Sequence, residues 1–318
     1  MIVFRDPAEV PEEFGRTVVA IGKFDGVHAG HRVVLERARR DAEALDARTV
    51  VVTFDRNPLS ILRPDRCPEN VVGVERKLEL LAETGVDATL VLTFDKKLSL
   101  RDAEDFVRSI LVDSLRVAAV LVGRDFRFGR GGAGTPELLQ RLGAQHDFTV
   151  DIVEDVFLAG SDRRVSSSWV RELLAAGDVA RAAAVLGRLP SVRGTVVHGL
   201  KRGRELGFPT ANLPSSLDEL VPADGIYAGW LDDHTDGVRH PAAISVGTNP
   251  TFDDVPERQV EAHVIDRSGL DLYGHDVTVE FVHHLRGMTA FTGVEALKES
   301  IAADIVQARA LLAADTAS

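Results

Sequence analysis

The stretch GKFDGVHAGH at residues 22–31 joins a predicted strand to a predicted helix. The β-branched, apolar run Thr17–Ile21 precedes it, and residues 32–45 repeat apolar side chains at helical spacing. We therefore expect His28 and His31 in the opening turn of the helix. The side chains expected to face the core are those of Val33, Val34, Ala38 and Leu45.

The opening turn of a helix is suited to binding phosphate. Its first backbone N–H groups have no partner within the helix, and the positive end of the helix dipole attracts anions. Two imidazoles add donors, and the glycines let the backbone approach a ligand closely. In-line nucleotidyl transfer needs such an oriented electrostatic cradle. The alternative is a turn with two ordinary surface histidines, which the many defined positions of the stretch disfavour.

The composition is that of a globular protein and argues against several functional classes. With 318 residues, 45% hydrophobic and 27% charged, the chain is long enough for two domains. The net charge of −12 argues against a general nucleic-acid binder, and the single Cys67 excludes an intrachain disulfide and a thiolate zinc cluster. No 18-residue apolar run occurs, and Met1–Val10 carries charges where a signal peptide is apolar. We expect a cytoplasmic protein with no nucleic-acid or membrane partner.

Predicted strands alternate with predicted helices up to about residue 153. This alternation is typical of right-handed βαβ units and predicts an α/β, doubly wound, Rossmann-like parallel sheet. Ligands bind at the carboxyl ends of the strands in such sheets, which is where the 22–31 stretch begins. The further strands are expected at Thr49–Phe54, Ala88–Thr93, Val117–Gly123 and Thr149–Val153, and helices at Val74–Thr84, Ala103–Ser114 and Pro136–His146.

The pattern changes after an Ala-rich predicted helix, Val179–Leu186. Short strand-like runs follow, separated by Gly, Pro and Asp turns, which predicts a small antiparallel β-barrel or sandwich. The runs are Val192–His198, Gly225–Leu231, Pro241–Val246, Val260–Ile265 and Val277–Val282, and a helix from Val294 to about Leu312 closes the chain. We therefore expect a first domain at 1–186 and a second domain at 187–318.

Two further stretches of the first domain carry groups that can contact phosphates. The basic, glycine-rich loop Arg124–Gly132 is as consistent with a solvated turn as with a nucleotide contact. In RVSSSWVR at 164–171, hydroxyl groups precede a predicted helix, and Arg171 follows Ser168 by three residues. That spacing places both residues on one side of the helix, where they can converge on a triphosphate. The alternative is a plain serine N-cap.

The second domain has a basic turn followed by an extended polar segment. Residues 194–204, GTVVHGLKRGR, form either a turn that folds over phosphates or a surface hairpin. In the following LGFPTANL, Thr210 and Asn212 are two apart and face the same way, so they offer oxygen ligands suited to Mg²⁺. Glu261 lies on a predicted strand with its neighbours on the opposite face, although a lone strand glutamate is ordinarily solvated.

These motifs resemble those of the prokaryotic bifunctional riboflavin kinase/FAD synthetases, in family order and over nearly the whole chain. Residues 22–31 resemble the Gly-x-Phe-Asp-Gly-x-His-x-Gly-His signature, and GFPTAN at 207–212 matches the riboflavin-kinase signature. Residues 165–171 resemble Ile-Ser-Ser-Thr-x-x-Arg, with Val and Ser at the first and fourth positions. Arg56 departs from the family's Phe-Asp-Pro-x-Pro run, which leaves that loop less constrained and adds a charge.

The resemblance implies roles for residues of both domains. In the first domain it implies ATP contacts from Gly22, Phe24, His28, His31, Asp125, Arg164, Ser167, Ser168 and Arg171, and flavin contacts from Asp55, Pro58 and Phe128. In the second domain it implies ATP contacts from Gly194, His198, Gly199, Arg202, Gly203, Thr210 and Asn212, flavin contacts from Asn249 and Glu261, and Mg²⁺ held by Thr210 and Asn212. The implied catalytic residues are His28, His31 and Glu261, the last as general base for the ribityl hydroxyl.

The resemblance also implies two reactions without a covalent intermediate. The second domain would convert riboflavin and ATP to FMN and ADP, and the first would join AMP from another ATP to FMN, giving FAD and pyrophosphate. A nucleotidylyltransferase for another acceptor, such as phosphopantetheine or nicotinamide mononucleotide, is disfavoured by the kinase motifs. A non-catalytic flavin-binding protein is disfavoured by the intact histidines and by the Thr210, Asn212 and Glu261 set. The sequence leaves a homo-oligomer open.

Overall fold

The computed structural model describes residues 1–316 except 200–202, 204–205, 250–256 and 268. The chain forms two compact units, Met1–Ser166 and Ser167–Ser318. The predicted domain boundary between residues 186 and 187 stays a prediction. Within the ranges just given, no helix is long and apolar enough to cross a membrane.

The first unit is built on a parallel sheet, as predicted. Its strands are β1 (Ile2–Phe4), β2 (Thr17–Ile21), β3 (Arg48–Phe54), β4 (Ala88–Leu92), β5 (Val117–Gly123) and β6 (Thr149–Val153). The six strands lie in the order β1-β4-β3-β2-β5-β6, and each neighbouring pair is parallel. This order confirms the doubly wound prediction. The sequence did not predict β1, because three residues are too few to show a period.

The helices of the first unit cover both faces that a parallel sheet must bury. They are α1 (Ala29–Ala44), α2 (Leu59–Leu62), α3 (Val74–Ala82), α4 (Lys96–Ser99), α5 (Ala103–Phe106, continued by a π-helix, Val107–Ser114) and α6 (Pro136–Gln145). The predicted core face of α1 is half wrong, because Val33 and Leu45 are exposed, whereas Ala38 is buried and Val34 half-buried. The buried stripe is Leu35, Ala38 and Ala42, at the helical spacing of three and four residues.

The strand order places the loop that follows β2 at a topological switch point. From β2 the chain winds outward through β3 and β4, then returns to β5 on the other side of β2. The loops that leave the carboxyl ends of β2 and β5 therefore start side by side. Ligands of open parallel sheets bind in the crevice at such a point.

The second unit contains an antiparallel barrel and a closing helix, as predicted. Its elements are α7 (Ser167–Ala175), α8 (Val179–Leu186), β7 (Ser191–Thr195), β8 (Ala211–Asn212), β9 (Gly225–Asp233), β10 (Val238–Asn249), β11 (Glu257–Val264), β12 (Asp276–Arg286) and α9 (Val294–Thr316). The strands pair in the order β7-β12-β9-β10-β11-β8. A bridge between Val197 and Asn212 joins the two edges, so that the sheet curls into a small barrel.

The barrel packs its core by alternation along the strands. Buried residues alternate with half-buried ones along β9 and β12, and Tyr227 and Phe281 are fully buried, with ring centroids 5.4 Å apart. Helix α9 adds a second cluster in which Ile305, Ala308 and Leu312 pack with barrel residues. Helix α8 lies against β12 and α7. The second unit therefore has an apolar core of its own.

Candidate functional sites

His28 is the N-cap of α1 and holds the first turn of the helix. Its backbone is extended, with φ −71° and ψ 172°, and its Nδ1 accepts a hydrogen bond from the His31 amide at 3.3 Å. The two imidazoles are stacked, with centroids 3.6 Å apart and planes 13° from parallel. Because Nδ1 accepts, the proton of the neutral His28 ring is on Nε2. The two histidines thus form one unit at the positive end of the helix, as the sequence predicts.

The loop between β2 and α1 brings its backbone and rings unusually close together. A Cβ at Gly30 would lie 3.3 Å from the His28 ring, so a side chain there would press on the imidazole. Phe24 and Val27 are almost completely buried and have positive φ values of 48° and 39°. L residues adopt this left-handed region only where their surroundings enforce it. The Phe24 ring also contacts the His31 ring, with centroids 5.0 Å apart, which positions that histidine.

Asp125 and Arg164, two predicted ATP-binding residues, are brought together in the first unit. The Arg164 guanidinium donates to the Asp125 carboxylate at 3.1 Å and to Asp155 at 3.1 Å. The hydrogen bond to Asp155 and the charge of Asp125 raise the pKa of Arg164 above its usual value. Sequence reasoning missed Asp155, although its position just after β6 could have indicated the same sheet edge.

The predicted flavin-binding residues of the first unit have partners within the fold. Asp55 accepts a hydrogen bond from the Phe94 amide at 2.9 Å and is ion-paired with Arg56 at 2.9 Å. Burial opposes ionisation, but the hydrogen bonds from Arg56 and Phe94 lower the pKa of Asp55 below its usual value. Arg56 thus pairs with its neighbour in the sequence, and a less constrained loop stays a prediction. Pro58 is half-buried at the N-cap of α2.

Phe128 is a core residue over most of its surface. Only 7% of it is exposed, and its ring stacks on that of Phe126 with centroids 5.4 Å apart. On another side it contacts Phe106, at 5.8 Å between centroids. Phe126 is the half-buried member of this group. A flavin contact by Phe128 stays a prediction.

The hydroxyl-rich stretch begins a helix, as predicted. Ser167 and Ser168 are the first residues of α7, and Arg171 lies one turn further along the same helix. These three residues belong to the second compact unit. Their predicted contact with the phosphates bound at the first unit stays a prediction.

Thr210, Asn212 and Glu261 form the polar cluster of the second unit. Glu261 of β11 pairs with Asn212 of β8 in the antiparallel register. The Thr210 hydroxyl donates to Glu261 Oε2 at 3.4 Å, and Asn212 Nδ2 donates to Thr210 Oγ1 at 3.2 Å. Val260 and Ala262 are buried on the other face, which accounts for the outward direction of Glu261. The structure thus brings Glu261 together with Thr210 and Asn212, from which it is about fifty residues away in the sequence.

The oxygen donors of this cluster fit a hard divalent cation. A hydroxyl, an amide oxygen and a carboxylate are the ligand types that Mg²⁺ takes in proteins. A different group, Asp233, Asp236 and His275, also clusters, but there the buried Asp233 carboxylate accepts hydrogen bonds from two backbone amides and pairs with His275 at 2.9 Å. That group therefore has a structural explanation in the turn between β9 and β10.

The glycines predicted to bind ATP in the second unit make room for backbone and side chains. A Cβ at Gly199 would lie 2.5 Å from Asn212 Oδ1, and one at Gly203 would lie 2.5 Å from the Phe208 carbonyl oxygen. At Gly194 the nearest atom is Pro214 Cδ, at 3.2 Å. Two of the three positions thus exclude any larger residue.

His198 and an apolar pocket are the remaining described features near Thr210 in the second unit. The His198 ring lies 3.9 Å from the Tyr273 ring, measured between centroids. Tyr273 also lines a pocket beside Thr210, together with Val196, Pro209, Ala262, Leu270 and Leu272. Arg202 lies outside the described residues, and of Asn249 only the backbone, at the end of β10, is described.

Comparisons with known proteins agree with this division of motifs. A family model for FAD synthetase matches residues 10–169, and one for riboflavin kinase matches residues 186–312. A bifunctional riboflavin kinase/FMN adenylyltransferase of Pseudomonas fluorescens is 39% identical over 303 residues, which cover 95% of each protein. The Escherichia coli (strain K12) protein of the same name is 35% identical over 306 residues, covering 95% of this chain and 94% of the relative.

One solved structure shares the whole fold. A crystal structure described as that of a macrolide-efflux protein from Streptococcus pneumoniae superposes with a TM-score of 0.85 at 30% identity. It covers 97% of this chain and 98% of that chain. The two family models and the curated relatives confirm the resemblance that the motifs carry, and this match shows the fold. The chain belongs to the bifunctional riboflavin kinase/FMN adenylyltransferase family.

Proposed function

We propose that this protein converts riboflavin to FMN in its second unit and FMN to FAD in its first unit, with ATP as co-substrate of both reactions. The observation that carries the proposal is that each unit has its own polar site. His28 and His31 cap α1 in one unit, and Glu261 contacts Thr210 in the other. The two family models match one region each, in the same order.

In the adenylyltransferase reaction, the first unit would act by positioning and by neutralising charge. The N–H groups at the start of α1 and the Nε2–H of His28 can donate to phosphate oxygens, and His31 stacks alongside. Gly22 and Phe24 shape the loop, and the resemblance implies further donors from Ser167, Ser168 and Arg171. Such preorganised donors stabilise the charge that develops as the FMN phosphate attacks and pyrophosphate leaves.

In the kinase reaction, Glu261 would accept the proton of the ribityl hydroxyl as that oxygen attacks the γ-phosphate. Its carboxylate accepts a hydrogen bond from the Thr210 hydroxyl, and this contact keeps the carboxylate on the same side of the barrel as Asn212. Thr210 and Asn212 would hold Mg²⁺, which when bound neutralises phosphate charge. The protein's own part is to orient the hydroxyl and the phosphates, on which phosphoryl transfer mainly depends.

The pocket beside Thr210 would receive the nucleotide of the kinase reaction. Its lining is partly aliphatic, with the aromatic ring of Tyr273 at one side and Arg267 as a charged member. A flat, weakly polar group such as a nucleobase fits such a lining, while phosphates attached to it would reach the polar cluster. A cytoplasmic location and the absence of nucleic-acid and membrane partners remain part of the proposal.

Separation of the flavins made by the pure protein tests this function. Riboflavin, ATP and Mg²⁺ are incubated with the full chain, and the products are resolved by chromatography. We expect FMN to form first and FAD to follow. FMN alone would indicate a nucleotidylyltransferase for another acceptor, and unchanged riboflavin would indicate a non-catalytic flavin-binding protein.

A further inference from the structure

Lys77 is a buried lysine at the carboxyl edge of the parallel sheet. It belongs to α3 and is only 7% exposed. Its ammonium donates to the Phe54 carbonyl at 2.7 Å and to the Thr53 hydroxyl at 3.3 Å. Lysine is seldom buried to this extent, because removing its charge from water is costly. This position therefore calls for a role that an apolar residue could not fill.

Thr53 extends the contact of Lys77 to the loop that carries the histidines. The Thr53 hydroxyl accepts from Lys77 and donates to the Lys23 carbonyl at 3.0 Å. Lys23 directly precedes Phe24, the first of the two non-glycine residues with positive φ in that loop. The ammonium is thus two hydrogen bonds away from the strained turn that leads to His28.

Two carboxylates, those of Asp25 and Asp55, act electrostatically on the ammonium and belong to neighbouring loops. Burial lowers the pKa of Lys77 to about 8, against the opposing effect of Asp25 and Asp55. Asp25 accepts a hydrogen bond from the Val71 amide at 2.8 Å, and Asp55 accepts one from the Phe94 amide at 2.9 Å. Asp25 lies in the loop after β2, Asp55 in the loop after β3, and Phe94 in the loop after β4. The ammonium therefore sits where the loops of three neighbouring strands meet.

We propose that Lys77 is a positioning residue for adenylyl transfer, which holds the loop of His28 and His31 in place through Thr53 and the Phe54 carbonyl. This inference rests on the adenylyltransferase function proposed for the first unit. A methionine would fill the same space but would leave both oxygen acceptors without their donor. The turn at Phe24 would then relax, and the histidines would lose their alignment with the phosphates.

The test compares Lys77→Met with a matched control, Arg76→Met, in the full-length protein. Arg76 is the preceding residue of α3 and pairs with Glu79 instead of with the sheet edge. We expect Lys77→Met to lower kcat for FMN adenylylation by about 10- to 100-fold, as a misplaced catalytic group does, while Arg76→Met leaves it unchanged. Riboflavin phosphorylation by the second unit should be unchanged in both variants.

Hydrogen exchange supplies a readout that does not depend on activity. The peptide that contains residues 22–31 should exchange faster in Lys77→Met than in the wild type or in Arg76→Met. If the wild-type protein makes no FAD from FMN and ATP, the proposed function fails, while this exchange comparison still tests Lys77. Unchanged exchange and unchanged FAD formation in Lys77→Met would overturn the inference. Equal loss of both enzymatic activities would indicate general unfolding of Lys77→Met, and Thr53→Val then decides the inference.

Thr53→Val tests whether Lys77 acts on the histidine loop through Thr53. It remains informative if Lys77→Met does not fold. This nearly isosteric change removes the hydroxyl that joins Lys77 to the Lys23 carbonyl. We expect it to lower the adenylylation rate less than Lys77→Met does, because the Phe54 contact remains. The double variant should be no slower than Lys77→Met alone, since both changes act on one chain of contacts. The contact through Thr53 would be ruled out if the losses of adenylylation rate in the two single variants were strictly additive in the double variant. It would also be ruled out if Thr53→Val kept the wild-type adenylylation rate and hydrogen exchange.

Discussion

The two candidate sites present polar groups from different parts of the chain. In the first unit a parallel sheet delivers a helix N-terminus, and the almost buried His28 is held by a backbone amide. In the second unit, Thr210, Asn212 and Glu261 lie on or beside antiparallel strands and contact one another through side chains. Helix dipoles add up, whereas strand dipoles nearly cancel. The kind of sheet thus decides whether the backbone or the side chains supply the electrostatic field.

Replacing His28 and His31 together by Ala should have the largest effect and should inactivate only the site of the first unit. We expect FAD formation from FMN to fall by about 10⁴-fold or more, since a single oriented donor commonly contributes 10²–10³. Riboflavin phosphorylation should persist. Chromatography of the flavins formed from each substrate measures both rates, and circular dichroism checks the fold. Equal loss of both activities in a folded protein would contradict the division of labour.

Glu261→Gln is the corresponding change in the site built from side chains. It keeps the size of the residue but removes the basic oxygen, so riboflavin phosphorylation should drop by about 10²–10⁴ if proton removal is required. Flavin affinity should change far less. Supplying FMN should bypass the defect, because the acceptor phosphate is already ionised. A variant with near-normal phosphorylation would assign Glu261 to binding or structure and leave the reaction to positioning and charge neutralisation.

Two fragments test at which residue the independently folding kinase unit begins. The fragments 187–318 and 167–318 should both fold, phosphorylate riboflavin and stop at FMN. The shorter one lacks both α7 and α8, and each buried apolar side chain of these helices contributes about 1.5–3 kcal/mol. We therefore expect the shorter fragment to melt several degrees lower when followed by circular dichroism. An unfolded 187–318 fragment would show that the boundary at 186/187 is wrong, and equal melting temperatures would show that α7 and α8 add nothing to the stability of the kinase unit.

The smallest expected effect concerns the pH dependence of stability in the first unit. Burial lowers the pKa of Lys77 to about 8, and an unfolded lysine titrates near 10.4. Between these values the unfolded chain binds the additional proton, so the folded state gains stability as pH rises through that range and has no such gain below it. Asp25 and Asp55 face the ammonium, and Arg56 pairs with Asp55.

Calorimetry at pH 7.5 and 9.5 measures this gain in the stability of the folded state, with Lys77→Met as the reference protein. The same pH series on the variant contains the contributions of all other groups. The unfolding temperature of the wild type should rise relative to that of Lys77→Met by about 2–4 °C over this interval. A constant difference between the two proteins would show that Lys77 keeps an ordinary pKa in the folded state.

The sequence predicted the sheets well because their signals are local. Apolar, β-branched runs gave bounds for β2, β5 and β6 that match the structure. The core face of α1 was half wrong because several apolar side chains surround that helix, and only packing decides which stripe is buried. The strand β8 has two residues and exists through its pairing with β11, a long-range contact that leaves no period in the sequence.

Site residues that belong to a sequence motif could be predicted, whereas a residue that stands out only by its burial could not. His28, His31, Thr210, Asn212 and Glu261 stand in recognisable patterns, and the structure places them in two clusters. Lys77 has no such pattern, because a lysine on an amphipathic helix is ordinarily solvated. Its burial follows from the register of α3 against the end of β3, which sequence reasoning does not give. Phe128 shows the converse, since its motif suggested a ligand contact and the structure places it mainly in the core.

The bridge between Val197 and Asn212 has a consequence for how the kinase unit can vary. The Val197 amide donates to the Asn212 carbonyl at 2.9 Å, so the segment between them starts and ends at one clamped point of the barrel. Lengthening a segment with fixed ends costs only chain entropy, about 0.6 kcal/mol for each doubling of its length. Closure of the barrel at this point therefore depends on the contact between Val197 and Asn212 and only weakly on the length of the segment that joins them.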